Sequence, residues 1–180
     1  MIAADTLETL TTDVPNGAEG LAAVGDPEVE IDVTVAGPGG HMRHHVWVDA
    51  SWALFLLQVR QDEHRVIVVP SGHTPAGLAR TLRLRPQPVS ESRCLLAPAA
   101  LDRLVSGDVA VLREHGLTWG WAVSARLVAA APDDPDGVRH VVAVATDSGQ
   151  CLVRPDGDAW LGEPASTSDV WALVSALLVD

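Results

Sequence analysis

The stretch SWALFLLQVRQDEHRVIVVP (Ser51–Pro70) decides the fold. Its first ten residues form a continuous apolar run, which suits a buried helix or a buried strand equally well. A helix could start there, with Asp49 or Ser51 as its N-cap. The next ten residues favour a strand. Gln61–His64 reads as a hairpin turn, and Arg65–Pro70 is a run of β-branched residues, so the whole stretch is expected to be strand, turn, strand. Beyond it, Thr74 is placed as an N-cap and Pro75 at the first helical position, where its missing N–H costs nothing. Leu78, Ala79 and Leu82 then share one face of a short helix.

Working outward, Glu28–Val35 alternates strictly, with Val29, Ile31, Val33 and Val35 on one side and Glu30, Asp32 and Thr34 on the other. This is the pattern of a half-buried strand. The Gly37–Gly40 run is a turn, and His44–Asp49 is a second strand. Residues 83–97 are expected to be extended, with a short strand at Cys94–Pro98. A helix should start at Pro98, carrying Leu101, Leu104 and Val105, and a second at Asp108–His115, closed by Gly116. Strands are then expected at Trp119–Ala131, Val138–Thr146 and Gln150–Pro155. Turns fall at Asp133–Gly137, Asp147–Gly149 and Asp156–Asp158, the last leading into a short strand that ends at Trp160 or Leu161. In Ser168–Val179, Val170, Leu173, Val174, Leu177 and Leu178 recur at helical spacing.

The order of elements repeats. Arg65–Pro70 and Gln150–Pro155 are both strands ending in proline, preceded by a hairpin and followed by an Ala- and Leu-rich helix. The expected fold class is therefore α+β, in two pseudo-twofold-related halves. Each half is a mainly antiparallel sheet of three or four strands covered by its C-terminal helix. The expected boundaries are an acidic disordered arm at 1–27, a first half at 28–85, a linker strand and helices at 86–116, and a second half at 117–180.

The chain has 180 residues and a formal net charge of −12, and all twelve of its basic residues are arginine. Eight acids and no arginine occur before Arg43. This argues against nucleic acid and anionic membranes as partners, since phosphate binding needs a basic face. The N-terminus lacks the basic and apolar regions of a signal peptide, and the apolar runs are too short to span a bilayer. The two cysteines, Cys94 and Cys151, are read as free thiols in a reducing cytoplasm.

Few residues carry a chemical signature. Ser71-Gly72-His73 has no GxSxG context, orienting acid or oxyanion hole, so it reads as a strand-to-helix linker. His41, His44 and His45 invite a metal reading, but in a strand His44 and His45 point to opposite faces, so they read as solvated hairpin side chains. Asp133, Asp134 and Asp136 lack the spacing of a calcium loop and read as a turn. Six tryptophans against one Phe and no Tyr stand out. Trp119 and Trp121 share a strand face and would make a binding hot spot if exposed.

With this order of elements in place, the chain resembles the EspG family, cytosolic chaperones of ESX (type VII) secretion in actinobacteria. The residues that carry the likeness are ALFLLQVRQDEHRVIVVPSGHTPAGLARTLRLRP (Ala53–Pro86), RCLLAPAALDRL (Arg93–Leu104) and HVVAVATDSGQCLVRPDGDAWLGEPASTSDVWALVSALL (His140–Leu178). The chain departs from the family in having only the acidic arm where a helical N-terminal region is usual. It also has Gln150-Cys151 where an Arg-Tyr pair is common. The resemblance implies a pseudo-twofold α/β fold that holds the apolar tip of a helical PE–PPE secretion substrate.

The expected function is a non-enzymatic, cytoplasmic chaperone, monomeric or homodimeric, with no cofactor and no metal. Its partner would be a helical secreted protein, contacted by Trp119, Trp121, Trp160, His41 and His44, with the hairpin Gly37–His45 and the final helix as the surrounding surface. The alternative is an immunity or regulatory protein whose acidic surface neutralises a basic toxin domain. An enzyme or metal protein built on Gly39–His45 is the third reading.

Overall fold

The computed structural model describes residues 4–91, 93–129 and 137–178. In chain order the strands are β1 (Val29–Gly37), β2 (Gly40–Val48), β3 (Trp52–Arg60), β4 (Glu63–Pro70), β5 (Cys94–Leu96), β6 (Trp119–Leu127), β7 (Val138–Thr146), β8 (Gly149–Asp156) and β9 (Ala159–Pro164). The helices are α1 (Ala4–Thr11), α2 (Gly17–Gly25), α3 (Thr74–Thr81), α4 (Pro98–Val105), α5 (Ala110–Glu114) and α6 (Thr167–Ala176). The chain is α+β. Its nine strands form one sheet in the order β4-β3-β2-β1-β6-β7-β8-β9-β5, with every neighbouring pair antiparallel. The ambiguous run at Ser51–Arg60 is a strand, because β4 gives it a hairpin partner. Two four-stranded meanders meet where β1 pairs with β6, in a register that sets Val33 against Val123.

Alternation along each strand sends side chains to both faces of the sheet, and both faces are covered. On one face Ile31, Val33, Val46, Phe55, Trp121 and Val123 are fully buried beneath Leu78 of α3 and Val170 and Val174 of α6. On the other face Ala122, Val142, Val144 and Cys151 lie under Leu101 and Leu104 of α4 and Val111 of α5. The third cluster corrects the reading of residues 1–27 as a disordered arm, over the described residues 4–27. Leu7, Leu10, Val14 and Leu21 of the N-terminal helical pair pack on Leu54, Leu56, Val66 and Val68 of β3 and β4. The acids of this segment hide its apolar side. Its leucines fall on one side of two short helices and find an apolar strand pair to cover. The contact is close: a methyl group added at Gly20 would come within 2.6 Å of Val68 Cγ2.

Several boundaries differ from expectation for local reasons. Thr74 is not an N-cap. Ser71–His73 form a 3₁₀ turn, and the Thr74 hydroxyl donates to the Ser71 carbonyl at 2.6 Å. Helix α6 begins at Thr167, because Ser166 caps it. The Asp169 N–H donates to the Ser166 hydroxyl, and the Asp169 carboxylate accepts the Ser166 N–H in return. Strand β9 runs to Pro164, beyond the stop expected at Trp160 or Leu161. This shifts the alignment of the repeat. Pro70 ends the fourth strand of its meander, whereas Pro155 lies in the third strand of the other, so the proline in the matching place is Pro164. The expected turn at Asp133–Gly137, including the three aspartates, falls outside the described residues apart from Gly137.

Candidate functional site: a cleft at one end of the sheet

The β1–β2 and β3–β4 turns, the start of β6 and the start of β8 lie around a cleft of about 970 Å³. Its apolar surface comes from Val35, Met42, Val59, Leu84 and Trp119. Val59 is 46% exposed, although it is a β-branched residue within a strand. Leu82, Arg83, Leu84, Arg85 and Gln87 form one wall. This wall is anchored through backbone and hydroxyl groups. The Thr167 hydroxyl donates to the Arg85 carbonyl at 3.1 Å, and the Gln87 N–H donates to the Thr167 hydroxyl at 3.2 Å. Further along, the Gln150 N–H donates to the Pro88 carbonyl at 3.0 Å. Gly149 makes that approach possible. It adopts φ +145, and a Cβ there would lie 2.5 Å from the Pro88 oxygen.

Three arginines line the cleft: Arg60, Arg83 and Arg85. Arg60 faces Glu63 at 3.7 Å in an exposed pair. Neither Arg83 nor Arg85 has a carboxylate partner among the described residues. Arg83 occupies the left-handed region, φ 53, where α3 ends. The Leu84 N–H donates back to the Ala79 carbonyl at 2.9 Å, which closes a Schellman-type terminus. Glycine usually takes this position, because an L-residue there costs about 1 kcal/mol or more. On the floor, Trp119, Ala145 and Gln150 are direct cross-strand neighbours. The Gln150 side chain is 1% exposed, and its Nε2 has no hydrogen-bond partner among the described residues.

The expected contact residues separate. Trp119 and His41 line the cleft together, Trp119 half-buried and His41 exposed. Trp121 does not join them. It is 1% exposed and packs inside the main core, so helices cover its part of the strand face and leave Trp119 alone of the two at the cleft. His44 is also buried, on the helix-covered face of β2, and its Nδ1 accepts the Gln58 N–H at 3.1 Å. Burial, followed by the charges of Arg83 and His64, pushes its pKa down to about 4. Trp160 lies on β9, half-buried against the cluster beneath α4. Arg83, Arg85 and Gln150 are site residues that the sequence alone does not single out. The available signal was Arg83-Leu84-Arg85, an alternation in a stretch read only as extended.

Other polar groupings do not assemble a reaction centre. The Ser71 hydroxyl donates to the Ala50 carbonyl and makes no bond to His73. A Ser–His hydrogen bond does occur between Ser124 and His140, at 2.7 Å, where register makes them cross-strand neighbours. The nearest acid in that row, Asp32, is bonded to His45 at 2.7 Å instead. That bond holds the Asp32 carboxyl below its usual range. His41 and His45 lie on the opposite side of β2 from His44, and no group of three metal-ligating side chains converges among the described residues. Among those residues no helix is long and apolar enough to cross a membrane.

In fold the chain is similar to a solved type VII secretion chaperone. That structure is of the Mycobacterium tuberculosis chaperone EspG5, in complex with a PE25–PPE41 dimer. The TM-score is 0.51 at 14% identity, and the match covers 92% of this chain and 80% of that one. No family model and no curated protein sequence matches the chain.

Proposed function

We propose that this protein is a non-enzymatic, EspG-like cytoplasmic chaperone or adaptor that holds a helical protein bound for type VII secretion. The cleft carries the reading: an apolar surface with a charged rim, formed where the hairpin turns of one strand meander meet the starts of β6 and β8 from the other. Such a surface suits reversible capture of a protein segment, which needs apolar area and a polar border but no reacting groups. The likeness in fold to EspG5 adds support, since that chaperone was solved with a PE–PPE dimer bound. In this reading the two meanders, each followed by a helix, are pseudo-twofold halves related through the β1–β6 seam. Trp119 and His41 are the contacts retained from the sequence.

The test is co-expression with the products of neighbouring genes that encode small helical proteins, followed by size-exclusion chromatography. Val59→Asp and Trp119→Ala should each abolish co-elution while leaving the far-UV spectrum unchanged. Co-elution that survives both changes overturns the cleft as the docking site. The net charge of −12 keeps one rival in view, an immunity or regulatory protein bound to a basic toxin domain. A complex that dissolves in high salt and forms with a basic enzyme would favour the rival; one that tolerates salt favours the chaperone.

A further inference from the structure

We infer that the segment seated in the cleft is acidic: apolar side chains interspersed with carboxylates, presented by a partner protein. This rests on the docking role proposed above and specifies its chemistry. The chain carries 24 acids against 12 arginines, yet no acid is among the residues lining the cleft, and three arginines are. Arg83 and Arg85 sit on the same anchored wall, two residues apart, with no carboxylate paired to them among the described residues. The left-handed backbone at Arg83 is a second, independent observation. A position suited to glycine holds a charged side chain at the edge of the site, the kind of local strain that functional sites retain. The third is Gln150, buried on the floor with a donor left unpartnered. A buried amide without a partner is costly, and an acceptor oxygen from an incoming chain would satisfy it. Donors at both wall and floor therefore call for an occupant rich in acceptors, and the apolar surface between them calls for leucine-like side chains.

The overall negative charge does not cancel this preference. Screening confines exposed charges to about 8 Å at physiological ionic strength, so arginines in contact with the occupant outweigh acids elsewhere on the surface. The net charge should act on the encounter rate, slowing it, while the cleft sets the lifetime of the complex.

Three short fluorescent peptides test this: one alternating leucine and aspartate, its asparagine counterpart and its lysine counterpart. Each carries a benzophenone so that the contact can be mapped by crosslinking. The aspartate peptide should bind at least about tenfold more tightly than the other two and crosslink within residues 35–42, 58–61 or 82–87. The Arg83→Gly/Arg85→Gln protein should lose that factor while remaining folded by circular dichroism. If the asparagine or lysine peptide crosslinks to the cleft as efficiently, the docking role survives and the acidic preference is wrong. If none of the three marks the cleft, the docking role fails and the preference with it. Displacement of the aspartate peptide by inorganic phosphate at comparable concentration would mean a small-anion site, and would also overturn the inference.

Discussion

His44 is a histidine that folding keeps neutral. Its pKa falls from 6.5 to about 4 because burial, with Arg83 and His64 nearby, disfavours the imidazolium. The sign comes from proton binding: as pH drops below 6.5 the unfolded chain takes up a proton that the native chain refuses, so stability declines until the native pKa is reached. The loss between about pH 7.5 and about pH 5 should be about 2 kcal/mol from this group. Urea melts at the two pH values should show it, and His44→Gln should flatten the difference. Arg83 offers the complementary case. Arg83→Gly should raise the unfolding midpoint, by about 1 kcal/mol in stability, because glycine adopts the left-handed terminus freely. A destabilised Arg83→Gly protein would show that the arginine is there for structure.

At the scale of elements, α2 depends on what Gly20 lacks. Gly20→Ala should cost about 1–3 kcal/mol by forcing the helix off Val68 and Leu54, and a thermal melt would reveal it. Ser166→Ala should remove the cap of α6 and cost about 1 kcal/mol by the same measurement. These two elements also mark the reach of sequence reading. Helix α6 was legible because Val170, Leu173, Val174 and Leu177 keep helical period along it. The N-terminal pair was not, because each helix is too short for periodicity to stand out against its acids, and its partner strands lie dozens of residues away. Strand β3 was legible only through its hairpin with β4. The cleft was half legible: Trp119 and the Gly37–Gly40 turn announced themselves. Gln150 and Arg83 acquired meaning only when register set Gln150 two strands from Trp119. Burial of Trp121 beneath two helices was equally invisible, since alternation says which face a side chain takes and nothing about what covers it.

For the whole molecule, the sheet is continuous through the β1–β6 ladder. Val33 and Val123, facing each other at its middle, are both essentially inaccessible. Unfolding should therefore be a single cooperative event, with tryptophan fluorescence and far-UV circular dichroism changing together. Val123→Asp should collapse both meanders at once, and residues 28–85 expressed alone should not hold a stable fold. Two separated transitions in the intact protein would argue for independent halves.

The cleft draws its walls from both sides of that seam: Gly37–Met42 and Val59 from one meander, Trp119 and Gln150 from the other. Neither fragment can present it alone, so anything bound there should act as a clamp that tightens the join. Thermodynamic linkage then runs both ways. A segment bound in the cleft should lift the melting temperature of the entire chain, and its release should leave the sheet measurably softer.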